Sequence, residues 1–245
     1  VRGRVPAEGE DGRRARRLME RVHLGECAGA AEALSAAKQA LAIYRRLAGS
    51  SPERYLPELA GCLGGLGVTL GELGRHGEAL DAEGEAVAVL RRLAGADPDR
   101  HLPDLADALI NLGATLAELG RPDEALRAER EAVSVYRRLA ADDPGRYLAD
   151  LADVLAEVGM TLHERGLPVE ALPLVVEAVT LLKGPVLQEA GLQEAGTKEA
   201  GAQEAGTEEA GTQEAGAAGQ HRARLDRAQA YLGTVLSALG RPAGA

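Results

Sequence analysis

The chain has no tryptophan and no phenylalanine, and aromatic residues make up 2% of its 245 positions. Its core must therefore be aliphatic. Leucine and alanine fill the apolar positions, a composition suited to helix-on-helix packing and to strong intrinsic helix formation. There are two cysteines, Cys27 and Cys62, too few for a disulfide framework or a zinc site. Lysine is nearly missing: only Lys38, Lys183 and Lys198 occur, against abundant arginine, and with valine as first residue this points to a GC-rich bacterial genome. A formal net charge of −10 and a pI near 5.1 exclude the broad basic face that a phosphate backbone requires. The one basic cluster, Arg13, Arg14, Arg16, Arg17 and Arg21, reads as a solvated helix face rather than a nucleic-acid arm. No apolar run reaches bilayer length, and the first residues lack the apolar centre of a secretion signal. The expectation is a soluble cytoplasmic protein with no membrane or nucleic-acid partner.

What the chain does have is a period. YRRLA at 44–48 returns as LRRLA at 90–94 and YRRLA at 136–140, and GELGR at 71–75 returns as AELGR at 117–121 and HERGL at 163–167. Internal repetition every 46 residues marks a solenoid, an architecture that mostly binds other molecules.

Residues 98–143 serve as the type unit. His101-Leu-Pro-Asp opens it, with Pro103 expected in a first helical turn and Asp104 at the positive end of the helix dipole. Leu105, Leu109, Leu112, Leu116 and Leu119 form one apolar stripe at helical spacing, and Gly120 stops the helix. Pro122-Asp-Glu starts a second helix whose stripe is Ala125, Leu126, Ala128, Ala132, Val135 and Leu139, and Asp142-Asp-Pro-Gly ends it. Each unit is thus a helix pair with more apolar surface than it can hide alone. Stacking buries it, at about 25 cal/mol per Å² removed from water. The columns recur: Leu59, Leu105, Leu151 and Leu225; Leu66, Leu112, Val158 and Leu232; Leu70, Leu116, Leu162 and Leu236; Ala79, Ala125 and Ala171; Ala86, Ala132 and Ala178.

Leu109-x2-Leu112-Gly113-x2-Leu116, followed by Ala125 and Ala132, resembles the tetratricopeptide (TPR) pattern. Leu63-x2-Leu66-Gly67-x2-Leu70 with Ala79, and Leu155-x2-Val158-Gly159-x2-Leu162 with Ala171, fit as well. The resemblance covers about residues 31–182 and 221–241. It departs from the pattern at Glu83 and Glu129, where a phenylalanine is usual, and in its longer unit, whose extra residues are expected to lengthen both helices and the Asp-Pro-Asp-Arg loop. That length resembles the units of kinesin light chains and of many actinobacterial proteins. The resemblance implies an all-α α-solenoid of antiparallel helix pairs, a TPR-like right-handed superhelix of 46-residue repeats.

The organisation that follows is a degenerate first helix and N-terminal segment over 1–30, helical repeats over 31–187, an acidic Gly-rich low-complexity loop over 188–219, and a final helix with a C-terminal tail over 220–245. The loop, QEAGLQEAGT and its continuations, advances five residues at a time, so no helix face stays apolar. Its glycines would weaken a helix by about 5–6 kcal/mol. It reads as an acidic spacer or as a tandem duplication tolerated because enlarging a loop costs only about 1.2 kcal/mol. The last helix is either the polar cap a solenoid requires or what remains of a longer array.

Few residues suggest chemistry. The five histidines do not cluster, and His163-Glu164 lacks a second histidine at the zincin spacing. Cys62 and Cys27 fall in register with apolar residues and read as core. Gly61, Gly64, Gly65, Gly67 and Gly71 lie inside a helical pattern with no Lys-Ser/Thr following, so they read as close-packing glycines rather than a phosphate loop. The expectation is no enzyme, no metal and no cofactor.

The TPR resemblance also implies a groove lined by the first helices of each unit. Carried onto this chain, its positions are Gly61, Gly64, Gly65, Val68 and Gly71; then Asp107, Ile110, Asn111, Ala114 and Ala117; then Asp153, Ala156, Glu157, Met160 and His163. The lysines of the carboxylate clamp found in chaperone-binding members are missing, and of that clamp only Asn111 matches. The candidate ligand residues are Asp107, Ile110, Asn111, Ala114, Asp153, Glu157, Met160 and His163, whose acids favour a partner segment carrying lysine or arginine. The function expected is a non-catalytic protein–protein interaction scaffold. The alternatives are a peptide-sensing regulatory module of a larger bacterial signalling complex, or a self-associating solenoid that stacks through its terminal helices at Leu232 and Leu236.

Overall fold

A computed structural model describes residues 9–184 and 211–240. Within them lie the helices α1 (Glu10–His23), α2 (Ala30–Ser50), α3 (Pro52–Glu72), α4 (His76–Ala96), α5 (Pro98–Glu118), α6 (Pro122–Asp142), α7 (Pro144–Glu164), α8 (Pro168–Leu182) and α9 (Gly211–Ala238), and among the described residues there is no strand. The fold is an all-α solenoid of consecutive packed helix pairs. In the periods 52–97 and 98–143, two 21-residue helices, a three-residue turn and a single-residue joint (Asp97 or Asp143) make up the 46 residues, whereas α8 has 15 residues.

The extra length of the unit therefore goes entirely into the helices. The Asp-Pro-Asp-Arg stretch is not a loop: Pro98 is the first residue of α5, with Asp97 as its N-cap. Pro103, expected in a first turn, lies inside the helix, as do Pro57 and Pro173 in theirs. Each is the sixth residue of its helix and removes the amide that would bond the carbonyl four residues back. The sharp stops follow one design. Gly74, Gly120 and Gly166 sit at φ of 67–74°, a conformation open to glycine. The next amide donates back across the turn, Arg75 N to Leu70 O, Arg121 N to Leu116 O and Leu167 N to Leu162 O, each at 2.9 Å. This closes the Schellman motif and satisfies a terminal carbonyl.

The chain divides into two compact units, residues 1–128 and 129–245. In the first, α1 packs on α2, α2 on α3, α3 on α4 and α4 on α5. Its core holds Leu63, Leu70 and Leu109, all fully buried, with Tyr44 and Tyr55. Cys62 belongs to this core, its Sγ 3.5 Å from the Met19 sulfur. Burial pushes its thiol up to about 12. Cys27 departs from expectation: it is only half-buried in the 24–29 connection between α1 and α2, and its register counterparts Leu73 and Leu119 are themselves 38% and 37% exposed. Glycine at 67 is a packing requirement, since a Cβ there would lie 2.5 Å from Glu83 Cγ.

In the second unit α7 packs on α8, and α9 on both. Leu155, Val158, Leu162, Val175, Leu182 and Val235 are fully buried. α9 begins at Gly211, ahead of the boundary at 220 expected from sequence, and residues 188–210 of the low-complexity segment lie outside the described residues. Ala215, Ala217 and Ala218 supply helix propensity in that early stretch. Two positions distinguish α9 from the earlier first helices. Ala60, Ala106 and Ala152, at most 2% exposed, correspond to Asp226; the fully buried Leu63, Leu109 and Leu155 correspond to Gln229. Both polar residues are exposed. Leu236, on which stacking between copies would rely, is 4% exposed within the unit.

On the second helices, ion pairs link residues forty apart: Lys38–Glu78 at 3.3 Å and Arg45–Glu85 in the first unit, Arg130–Glu170 at 3.1 Å and Arg137–Glu177 at 2.6 Å in the second. They are solvated and act on register more than on stability. Among the described residues no helix is long and apolar enough to cross a membrane.

Candidate functional site

Four of the five expected groove positions of α3 are glycine, Val68 being the exception. Gly61, Gly64, Gly65 and Gly71 stand where α5 carries Asp107, Ile110, Asn111 and Ala117. A helix pays about 1 kcal/mol for each interior glycine relative to alanine. Packing does not demand that cost at Gly61, Gly64 or Gly71, because a Cβ at any of them would meet nothing within 4 Å. The glycines leave room instead. Between α3 and α5 lies an open cavity of about 230 Å³, with Gly61, Gly64 and Pro57 on one wall, Ala86 and Leu90 of α4 as its floor, and Asp104, Asp107 and Asn111 on the other wall.

The α5 wall follows from helical spacing. Asp104, Asp107 and Asn111, three and four residues apart, fall on one face. Burial raises the pKa of the Asp104 carboxyl, and the neighbouring His101 opposes that shift. His101 is itself 5% exposed, its Nδ1 4.0 Å from Asp104 Oδ2 and without a hydrogen-bond partner. The resulting pocket pairs an apolar floor, able to receive an aliphatic stem, with carboxylate and amide oxygens that accept hydrogen bonds from a cationic head.

Of the residues expected from sequence, the structure brings Asp107 and Asn111 together here. Ile110 is half-buried and Ala114 exposed on the same helix, and neither lines the cavity. In the second unit, α7 carries Asp153, Met160 and His163 half-buried and Glu157 exposed. Its acids already have cationic partners from α9: Arg224 Nε lies 3.0 Å from Asp153 and its Nη2 3.4 Å from Asp150, and Arg227 lies 3.5 Å from Glu157. Burial nevertheless raises the Asp153 pKa, outweighing the Arg224 and Arg227 charges. His163 Nδ1 is buried without a partner. A basic face complementary to the α7 acids is thus present in the chain itself.

Sequence reasoning did not single out Asp104, Pro57, Ala86 and Leu90 as site residues. Asp104 was detectable as the residue one turn before Asp107, and Arg224 and Arg227 as charge reversals at the repeat positions of Asp150 and Asp153. Among the described residues no group of three or more His, Cys, Asp or Glu side chains could hold a metal ion.

Residues 59–101 and 105–144 match the tetratricopeptide repeat family. Solved structures with the same fold include a putative kinesin light chain with nearly identical TPR-like repeats from Podosopora anserina, 15% identical over 95% of this chain and 98% of that one with a TM-score of 0.55. Another is the apo form of RapI, 12% identical over 96% of this chain and 86% of that one, also with a TM-score of 0.55. At such identities the likeness concerns the fold alone. No curated protein matches the chain significantly. Two tetratricopeptide repeats are thus matched directly within residues 59–144, and the helix pairs on either side share the fold of tetratricopeptide solenoids.

Proposed function

We propose that this protein is a non-catalytic interaction scaffold of the bacterial cytoplasm, and that its first unit takes a peptide segment bearing lysine or arginine on the face shared by α3 and α5. The cavity of about 230 Å³ carries this reading. Its volume suits one long side chain, its floor at Ala86 and Leu90 suits the methylenes, and Asp104, Asp107 and Asn111 suit the charged head. Gly61 and Gly64 let a peptide backbone approach the helix closely. The repeat family supports a preformed binding surface rather than a reaction centre.

The test is a titration of the full chain with three fluorescent peptides of equal length, rich in arginine, glutamate or alanine. The arginine peptide is expected to bind tightest. Asp104→Asn with Asp107→Asn is expected to weaken it at least about tenfold, or about 1.4 kcal/mol. Gly61→Leu, which fills the cavity without touching a charge, is expected to weaken it as well. Equal binding of all three peptides, or full affinity in both variants, would refute the reading.

A further inference from the structure

Glu83 and Glu129 stand at the repeat position where the tetratricopeptide pattern has an aromatic ring. Glu83 is 3% exposed, pressed against Gly67 of α3, with Oε1 2.9 Å and Cδ 3.1 Å from where a Cβ on that glycine would sit. Its carboxyl is hydrogen-bonded to the Thr115 hydroxyl of α5, and its Oε2 is buried without a partner. Glu129 repeats the arrangement in the second unit: Thr161 Oγ1 of α7 lies 3.5 Å from its Oε1, and its Oε2 is also buried and unpartnered. Both links join the second helix of one repeat to the first helix of the next.

The third such joint lacks the acid. Val175 takes the glutamate position and Val235 the threonine position, and both are fully buried. An apolar pair thus fills the corresponding joint there. A neutral carboxyl keeps an oxygen that accepts from the threonine hydroxyl and brings no charge into this seat. Among the described residues the titratable group facing Glu83 is His76 on its own helix, while α3 presents Gly67 and α5 presents Thr115. Those facing Glu129 are Glu157 of α7 and Arg165 in the turn after it, which oppose one another.

We propose that Glu83 and Glu129 are pH-dependent joints between repeats, holding the array closed when protonated and loosening it when they ionise. Burial raises the pKa of both carboxyls, which supports this sign. The stability they contribute is fully present below the ordinary carboxylate value of 4.5 and is lost as pH rises through the raised folded-state value. The Glu83 joint also bears on the cavity. Ala86 and Leu90, its floor, lie on α4 just beyond Glu83, and Thr115 lies on the helix that carries Asp104, Asp107 and Asn111.

Urea denaturation of the full chain at several pH values tests the joints. Glu83→Gln and Glu129→Gln are permanently neutral at these sites. Each is expected to match wild type at about pH 4 and to unfold at higher urea than wild type at about pH 8, with a gap that widens steadily between. Amide exchange in α5 is expected to slow in Glu83→Gln at the higher pH. The exposed Glu118→Gln, with the same change in net charge, is expected to show no such gap. A gap constant across pH, or an equal one in Glu118→Gln, would overturn the proposal. If one glutamine variant fails to fold by circular dichroism, the other decides, since the two joints lie in separate units.

Discussion

Two glycines on one helix are expected to respond in opposite directions to the same substitution. Alanine at Gly61 or Gly67 of α3 gains about 0.8–1 kcal/mol of helix propensity. At Gly61 nothing lies within 4 Å of the new methyl, so the gain stands and the protein is stabilised by about 0.5–1 kcal/mol. At Gly67 the methyl would sit 2.5 Å from Glu83 Cγ, where carbon atoms pack comfortably at about 3.5–4.0 Å. Glu83 is buried and has no free space to retreat into, so the overpacking penalty of about 1–3 kcal/mol outweighs the propensity gain. The net expectation is a loss of about 1 kcal/mol, leaving the two variants about 2 kcal/mol apart, roughly a thirtyfold difference in unfolding equilibrium. Urea denaturation followed by far-ultraviolet circular dichroism at 25 °C resolves this. Repeating Gly67→Ala in a Glu83→Ala background completes a cycle in which the penalty should vanish. Gly61→Ala and Gly67→Ala shifting the midpoint in the same direction, or a penalty that survives the loss of Glu83, would refute the packing argument.

Other outcomes follow from the same structure. Gly159→Ala brings a methyl onto the Val175 side chain and within 3.4 Å of the Ala171 carbonyl, so it is expected to lose about 1–3 kcal/mol, read by thermal denaturation. Replacing Arg224 and Arg227 together by alanine should change stability by less than about 1 kcal/mol while releasing Asp153 and Glu157, so a second, weaker basic-peptide event should appear in calorimetry. With burial pushing the Cys62 thiol up to about 12, a thiol reagent at about pH 8 should label Cys27 first and Cys62 only after urea is added, as mass spectrometry of the labelled chain would show.

The sequence made the period, the paired helices and the leucine columns legible because burial repeats wherever the register repeats. Helix starts were harder to place. Pro103 looks like an N-terminal proline, yet α5 begins at Pro98, since both prolines obey the same rule and only the one-residue joint at Asp97 distinguishes them. Cys27 was misplaced because its register counterparts Leu73 and Leu119, apolar in sequence, lie exposed in the turns after α3 and α5. Asp107 and Asn111, expected from helix phase, line one cavity. The cavity itself was not legible, because it depends on what α3 lacks. The buried glutamates were visible as departures from the family pattern, but their threonine partners lie 32 residues on, a pairing that only the fold reveals.

The central claim is that a basic segment docks on the α3–α5 face of the first unit, while the α7 acids are already engaged by α9. Hydrogen exchange with and without a saturating arginine-rich peptide tests it most directly. The account predicts new protection in α3 around 57–64 and in α5 around 104–111, with α7 and α9 unchanged. Protection confined to α7 and α9, or none in α3 and α5 at saturation, would contradict it.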